Sequence, residues 1–148
     1  MNTALDDWRA ATDSRIRATL EHTAGVAATA SGDITDAAPA ARKDSLPPVV
    51  HHVFFWLKNP DSAEDRAALI EGIKKLGSIE TVRAIHVGVP ASTEKRDVVE
   101  SSYHVSELLC FDDLEGQKTY QDHPDHQQFI KDHSHLWEKV VVYDVIAA

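Results

Sequence analysis

The chain has 148 residues, of which 15 are Lys or Arg and 24 are Asp or Glu, so its formal net charge is −9. The length suits one domain with an extension, and the acidic balance disfavours binding to nucleic acid or to an anionic membrane surface. No apolar stretch reaches the roughly 18–20 residues of a membrane-spanning helix. A single cysteine, Cys110, excludes a disulfide within the chain. We therefore expect a soluble, cytoplasmic protein.

The composition of the chain changes near residue 48. Residues 1–22 carry loosely spaced apolar residues and predict a helix, whereas residues 23–48 are Ala-rich and end in Pro47-Pro48, as is typical of a linker. We assign residues 1–48 to an N-terminal extension that could dock as a helix, and residues 49–148 to the folded domain.

Strands and helices alternate in the folded domain. Residues 49–58 (VVHHVFFWLK) predict a strand with two apolar faces, and strands also follow at 81–89, 103–111 and 139–146. One helix is expected from a cap at Ser62 to Gly77, where we expect left-handed backbone, followed by a short helix capped by Asp112 or Asp113. Another helix is expected from Pro124.

The order β-α-β-β-α-β is the ferredoxin-like split βαβ arrangement, so we expect an α+β fold with an antiparallel four-stranded sheet. Two helices can cover only one face of such a sheet, yet the first strand is apolar on both faces. His52, Phe54 and Trp56 share one face by alternation. A second copy of the chain would cover the remaining face, and the sequence therefore predicts a homodimer.

Three segments carry a resemblance to a known family. They are HVFFWLK from His52, HPDH from His123 and WEKVVVYD from Trp137. In this order and spacing they resemble the stress-responsive A/B barrel (Dabb) family of the dimeric α+β barrel superfamily. The resemblance implies a ferredoxin-like domain that pairs into a homodimeric barrel.

The resemblance also implies candidate site residues. A characterised member, a plant polyketide cyclase, closes a ring by an aldol-type reaction with a Tyr and a His, which match Tyr120 and His126 here. His126 would be a general base, with an ordinary pKa of about 6.5, and Tyr120 would hold the developing enolate. The substrate-binding positions are then His52, Phe54, Ile70, Ile73, Glu107, Trp137, Val140 and Val142. Several of these positions differ from the cyclase, so its substrate is not carried over.

The polar candidates carry specific expectations. We expect His52 to lie inside the barrel and His51 to lie on the surface. Glu107 lies between apolar residues on its strand face and would be costly to bury unpaired. It should therefore meet His52, His126 or Tyr120, or reach solvent.

The sequence is compatible with three functions. The leading hypothesis is the binding of a small apolar or aromatic carbonyl compound, with cofactor-free cyclase- or lyase-type acid–base chemistry. The alternatives are a non-enzymatic, stress-associated structural or carrier protein and a monooxygenase of the kind known in the superfamily. Four histidines lie close in sequence, but their helical spacing separates them, so we expect no metal site and no cofactor. They are His123, His126, His133 and His135.

Overall fold

The structure, a computed structural model, describes residues 45–148. The helix predicted over residues 1–22 and most of the linker lie outside the described residues. Four antiparallel strands form one sheet in the order β2-β3-β1-β4. The strands are β1 (Val49–Leu57), β2 (Ala84–Gly88), β3 (Val105–Phe111) and β4 (Trp137–Ile146).

Three α-helices connect the strands: α1 (Ala63–Leu76), α2 (Leu114–Asp122) and α3 (Pro124–His133), the last followed by a 3₁₀ turn (Ser134–Leu136). This arrangement confirms the predicted ferredoxin-like α+β fold. The first two helices begin at the predicted caps, and the third begins at Pro124 as predicted. Ser62, Asp113 and His123 each accept a hydrogen bond from a backbone N–H in the first turn, at 3.1, 2.7 and 3.1 Å.

The predicted left-handed backbone at Gly77 is wrong. Its φ is −62°, in the right-handed region, and its N–H donates to the carbonyl of Lys74 at 3.2 Å. Similar hydrogen bonds, each from a backbone N–H to the carbonyl three residues earlier, follow up to Val82. The chain therefore leaves α1 by tightening into i→i+3 turns, and needs no reversal at the glycine. This extra turn also delays β2 to Ala84.

The two faces of the sheet have different environments. On β1, alternate residues from Val49 to Leu57 are buried against the helices, where Leu69, Ile73 and Ile130 pack on them. The opposite face of the sheet is only partly covered: Tyr143 is 59% exposed and Val145 is 53% exposed. The helix-facing side holds the core, and the open face carries large apolar side chains in contact with solvent.

Candidate functional site

A tyrosine and a glutamate form a hydrogen bond in the core. Glu107 lies on the helix-facing side of β3, opposite Val53 of β1, and Tyr120 lies in the last turn of α2. The Tyr120 hydroxyl donates to Glu107 Oε1 at 2.9 Å, and each residue is only 1% exposed. Of the partners expected for Glu107, the structure therefore selects Tyr120.

Burial sets the protonation of this pair. It raises the pKa of Glu107, while the charge of His51 and the hydrogen bond from Tyr120 act in the opposite direction. Burial, together with the adjacent Glu107 carboxylate, holds the pKa of Tyr120 well above its ordinary value. Tyr120 therefore keeps its proton and acts as a donor.

His126 lies beside Tyr120 because α3 begins directly after α2, with Pro124 at its first position. The ring centroids of His126 and Tyr120 are 4.6 Å apart, and His126 is 2% exposed. Its Nδ1 lies 3.1 Å from the carbonyl oxygen of Gln121. Because a carbonyl oxygen only accepts, Nδ1 is the donor, and the basic lone pair of a neutral His126 is at Nε2.

His51 belongs to the same region, so its predicted surface position is wrong. It is fully buried on the helix-facing side of β1, and its Nδ1 contacts Asp144 Oδ1 of β4 at 2.5 Å. The ring centroids of His51 and Tyr120 are 5.9 Å apart. Alternation along β1 places His51 with Val53 and Phe55. Since both faces of this strand are apolar, the pattern alone did not show which face meets the helices.

We call His51, Glu107, Tyr120, His126 and Asp144 the buried polar cluster. It lies between the sheet and the helices among the apolar core residues, and Gln117 and Gln121 of α2 are buried as well. His51 Nε2 and Asp144 Oδ2 are buried atoms without a hydrogen-bond partner among the described residues. An orphaned buried polar atom costs on the order of 1–3 kcal/mol, so the cluster offers polar positions that a ligand could satisfy.

His52 and Phe54 lie on the other side of the sheet, so His52 is not the partner of Glu107. Adjacent strand residues point to opposite faces, so His52 is turned away from the face that carries His51. Its ring centroid lies 4.2 Å from that of Phe54, and both residues line a cleft of about 300 Å³ on the open sheet face. Partial burial, followed by the charges of His86 and His51, lowers the pKa of His52.

The remaining predicted pocket positions lie on the helix-facing side. Ile73 is fully buried in α1, and Ile70 packs against the same core. On β4, Trp137 packs on Phe55 at 5.0 Å between ring centroids. Val140 and Val142 continue this wall along the strand. These five residues therefore form an apolar wall in the layer that contains the buried polar cluster.

The histidines around α3 have separate local roles. His123 caps α3, and His133 Nδ1 contacts the carbonyl oxygen of Phe129 at 3.0 Å. Within residues 45–148, no group of three or more His, Cys, Asp or Glu side chains is placed to hold a metal ion. In the same part of the chain no helix has the length and apolar character needed to cross a bilayer.

Solved structures share this fold. The Arabidopsis thaliana protein At3g17210 is 27% identical, with a TM-score of 0.59, over 68% of this chain and 96% of that one. A dimeric protein of unknown function and ferredoxin-like fold from Bacteroides fragilis is 23% identical, with a TM-score of 0.51, over 66% and 94%. A hydroxynitrile lyase from Passiflora edulis is 18% identical, with a TM-score of 0.56, over 70% and 96%.

Comparison with curated proteins gave no significant match. The sequence profile of the stress responsive A/B barrel domain, Dabb, matches residues 49–147. The match covers more than half of the chain and includes every strand and helix of the sheet-and-helix fold described above. The chain therefore belongs to the stress responsive A/B barrel (Dabb) family.

Proposed function

We propose that this protein binds a small apolar or aromatic carbonyl compound at the buried polar cluster and acts on it by acid–base chemistry. The observation that carries the proposal is the hydrogen bond between Tyr120 and Glu107, with the His126 ring 4.6 Å from that of Tyr120. Three groups able to donate or accept protons thus meet in a layer that is almost closed to solvent. Burial of such groups is costly and is characteristic of functional sites.

The proposed step needs a base and an oxygen-binding donor. His126 Nε2 would remove a proton from the carbon next to the carbonyl, and the electron pair of that C–H bond would move into the carbonyl to form an enolate. Tyr120 would donate its hydroxyl proton in a hydrogen bond to the enolate oxygen. The enolate can then attack a second carbonyl, as in a cyclase, or expel a leaving group, as in a lyase.

Glu107 would control whether Tyr120 is available as a donor. In its charged form Glu107 can only accept a hydrogen bond, so the Tyr120 hydroxyl would donate to it, at the observed distance of 2.9 Å. The pKa of Glu107 is raised by burial, and a protonated Glu107 would donate to the Tyr120 oxygen instead. The Tyr120 proton would then be directed at the ligand. On this account Glu107 is a positioning residue that acts through Tyr120.

The fold is compatible with lyase chemistry, since one structure with the same fold is described as a hydroxynitrile lyase. At 18% identity that structure shares the fold alone. The proposed proton removal uses only the side chains of this protein, His126 and Tyr120, and needs no oxidant, reductant or second reactant.

Homodimerisation is the second part of the proposal. Phe54 contacts both Tyr103 and Tyr143 on the open sheet face, with ring centroids 4.8 and 5.9 Å apart, and Val145 lies exposed nearby. An apolar sheet face of this kind favours a partner. A structure with the same fold is described as dimeric. A second copy packed on this face would complete the barrel.

A carrier or structural protein is the alternative that one observation favours. Tyr120 already bonds to Glu107, and His51 already contacts Asp144. In a purely structural cluster such pairs satisfy one another and need no ligand. This alternative predicts that carbonyl compounds either bind without reaction or do not bind.

Binding can be tested by NMR on protein whose aromatic rings are labelled with ¹³C. Acetophenone and its longer-chain homologues are added stepwise to this protein. We expect shifts of the Tyr120, His126 and Trp137 ring resonances, because these rings flank the proposed site. Shifts confined to Phe54, Trp56 and Tyr143 would place binding on the open sheet face instead. That result, or no binding by any aryl ketone, would contradict the proposal.

A further inference from the structure

The buried polar cluster has almost no contact with solvent, so a ligand needs a route to it. Glu107 and Tyr120 are each 1% exposed, and His126 is 2% exposed. A groove of about 390 Å³ runs between α1 and α3. We call it the α1–α3 groove; its apolar floor contains Leu76 and Phe129. Its volume is in the range of sites that hold small organic molecules.

Phe129 is the wall that the groove shares with the cluster. It lines the α1–α3 groove, and its ring also lies 6.4 Å from that of His126, with 29° between the two planes. The His126 ring is in turn 4.6 Å from that of Tyr120. A molecule in the groove is therefore separated from the proposed base by one aromatic side chain.

His133 holds Phe129 in this closed position. The two rings stack at 4.9 Å, and His133 Nδ1 contacts the Phe129 carbonyl oxygen at 3.0 Å. The His133 ring lies directly against α1 at Gly72, where an added Cβ would be 2.5 Å from His133 Nε2. Only glycine leaves room for the His133 ring at this point. Gly72 therefore allows His133 to pack against α1 and to support Phe129.

The rim of the groove indicates which ligands it admits. It carries one cation, Lys75, and two carboxylates, Asp125 and Asp132. Together with the net charge of −9, this rim gives no excess of positive charge for an anionic ligand. A neutral ligand meets the apolar floor without an electrostatic cost.

We propose that the α1–α3 groove is the entrance to the buried polar cluster, that it first binds a neutral, single-ring carbonyl compound, and that rotation of Phe129 admits this compound to His126. The carbonyl chemistry of the ligand rests on the proposed function, whereas the route does not. On this route only the Phe129 side chain moves, and the helices stay in place.

The route can be tested with diethyl pyrocarbonate, a small neutral carbonyl reagent that modifies unprotonated histidine. Modification of His126 is followed by peptide mass spectrometry, with the exposed His135 as an internal reference. To block the groove, the exposed Gln128 at its rim is replaced, Gln128→Cys, and coupled to a bulky methanethiosulfonate label. The matched control carries the same label at the exposed Thr119 of α2, after Thr119→Cys.

We expect the label at position 128 to slow modification of His126 at least tenfold, and the label at position 119 to leave the rate unchanged. Equal rates with both labels would overturn the proposal. Cys110 is the chain's only native cysteine and is buried, so mass spectrometry can verify that a single label is attached.

A second variant opens the route. Phe129→Leu keeps an apolar side chain but removes the ring, and we expect modification of His126 to become at least tenfold faster. The reaction of the buried Cys110 with a thiol reagent reports opening of the sheet in the same variant. A faster His126 reaction with an unchanged Cys110 reaction supports the route. An unchanged His126 rate, or a parallel rise of both rates, overturns it.

None of these readouts depends on acetophenone binding, so failure of the route and failure of the proposed function are distinguishable.

Discussion

His51 and Asp144 occupy directly opposite positions on β1 and β4, and their side chains meet on the helix-facing side of the sheet. The His51 side chain is fully buried and that of Asp144 is 8% exposed. A buried polar pair of this kind stabilises the fold only while both members are present, because removal of one leaves the other unsatisfied.

Asp144→Ala should therefore lower the free energy of unfolding by about 2–4 kcal/mol. The matched control is Asp112→Ala, which removes the partner of Arg83 in an ion pair whose side chains are 57% and 65% exposed. We expect the control to cost less than about 1 kcal/mol, as exposed pairs do. Urea denaturation measures both values, and equal costs would contradict the structural role of the His51–Asp144 pair.

Glu107→Gln tests the pKa of the buried carboxyl. In the folded protein burial raises this pKa above its ordinary value of 4.5, so the folded state holds the proton more tightly than the unfolded state. The contribution of Glu107 to stability is therefore fully present below about pH 4.5 and is lost as pH rises through the folded pKa. Glu107→Gln removes this loss and keeps an oxygen that accepts from Tyr120.

We thus expect the stability of Glu107→Gln relative to wild type to increase as pH rises above about 4.5. The control is Glu115→Gln, which makes the same chemical change at an exposed position of α2. A pH-independent difference for Glu107→Gln would show that burial does not perturb this carboxyl. Denaturation curves at several pH values decide between the two results.

Tyr143→Asp tests the proposed dimer. Tyr143 is 59% exposed on the open sheet face, so a charge there should block a partner sheet without unfolding the chain. Light scattering should give the dimer mass for wild type and the monomer mass for the variant. Val98→Asp is the control, because Val98 is 82% exposed and lies outside the sheet. A wild type that is monomeric at micromolar concentration, or a Tyr143→Asp variant that still dimerises, would exclude an interface at this face.

Gly72→Ala tests the packing of His133 on α1. The new Cβ would collide with the His133 ring, and we expect the ring to move and to lose its contact with the Phe129 carbonyl. In a His133→Ala background the same change meets no ring and should stabilise α1 by up to about 1 kcal/mol, the helix preference of Ala over Gly. Thermal unfolding of wild type, the two single variants and the double variant measures how far the effect of Gly72→Ala depends on His133. An identical effect of Gly72→Ala in both backgrounds would show that His133 does not use the space at Gly72.

The fold could be predicted from the sequence because its signals are local. Period-two alternation, the caps at Ser62 and Asp113 and the proline at position 124 each identify an element, and the order of these elements has few solutions. The strand limits were less accurate, since β2 begins three residues after its predicted start, behind the turns that end α1.

The candidate site could be predicted only in part. The resemblance pointed to Tyr120 and His126, and alternation pointed to Glu107. The choice between His51 and His52 depends on which side of β1 meets the helices, and β1 is apolar on both sides. The partner of His51, Asp144, lies 93 residues further along the chain and reaches it only through the β1–β4 register. No local pattern carries this information.

The most direct test of the proposed chemistry is proton exchange next to a carbonyl. Wild-type protein is incubated with acetophenone in D₂O, and loss of the methyl proton signal is followed by NMR. If His126 is the base, wild type should accelerate this exchange over buffer. His126→Asn should then lower the accelerated rate by about 10²–10⁴-fold, while the exposed control His135→Asn leaves it unchanged. Binding of acetophenone without accelerated exchange, or exchange that survives His126→Asn, would contradict the assignment of His126 as a general base.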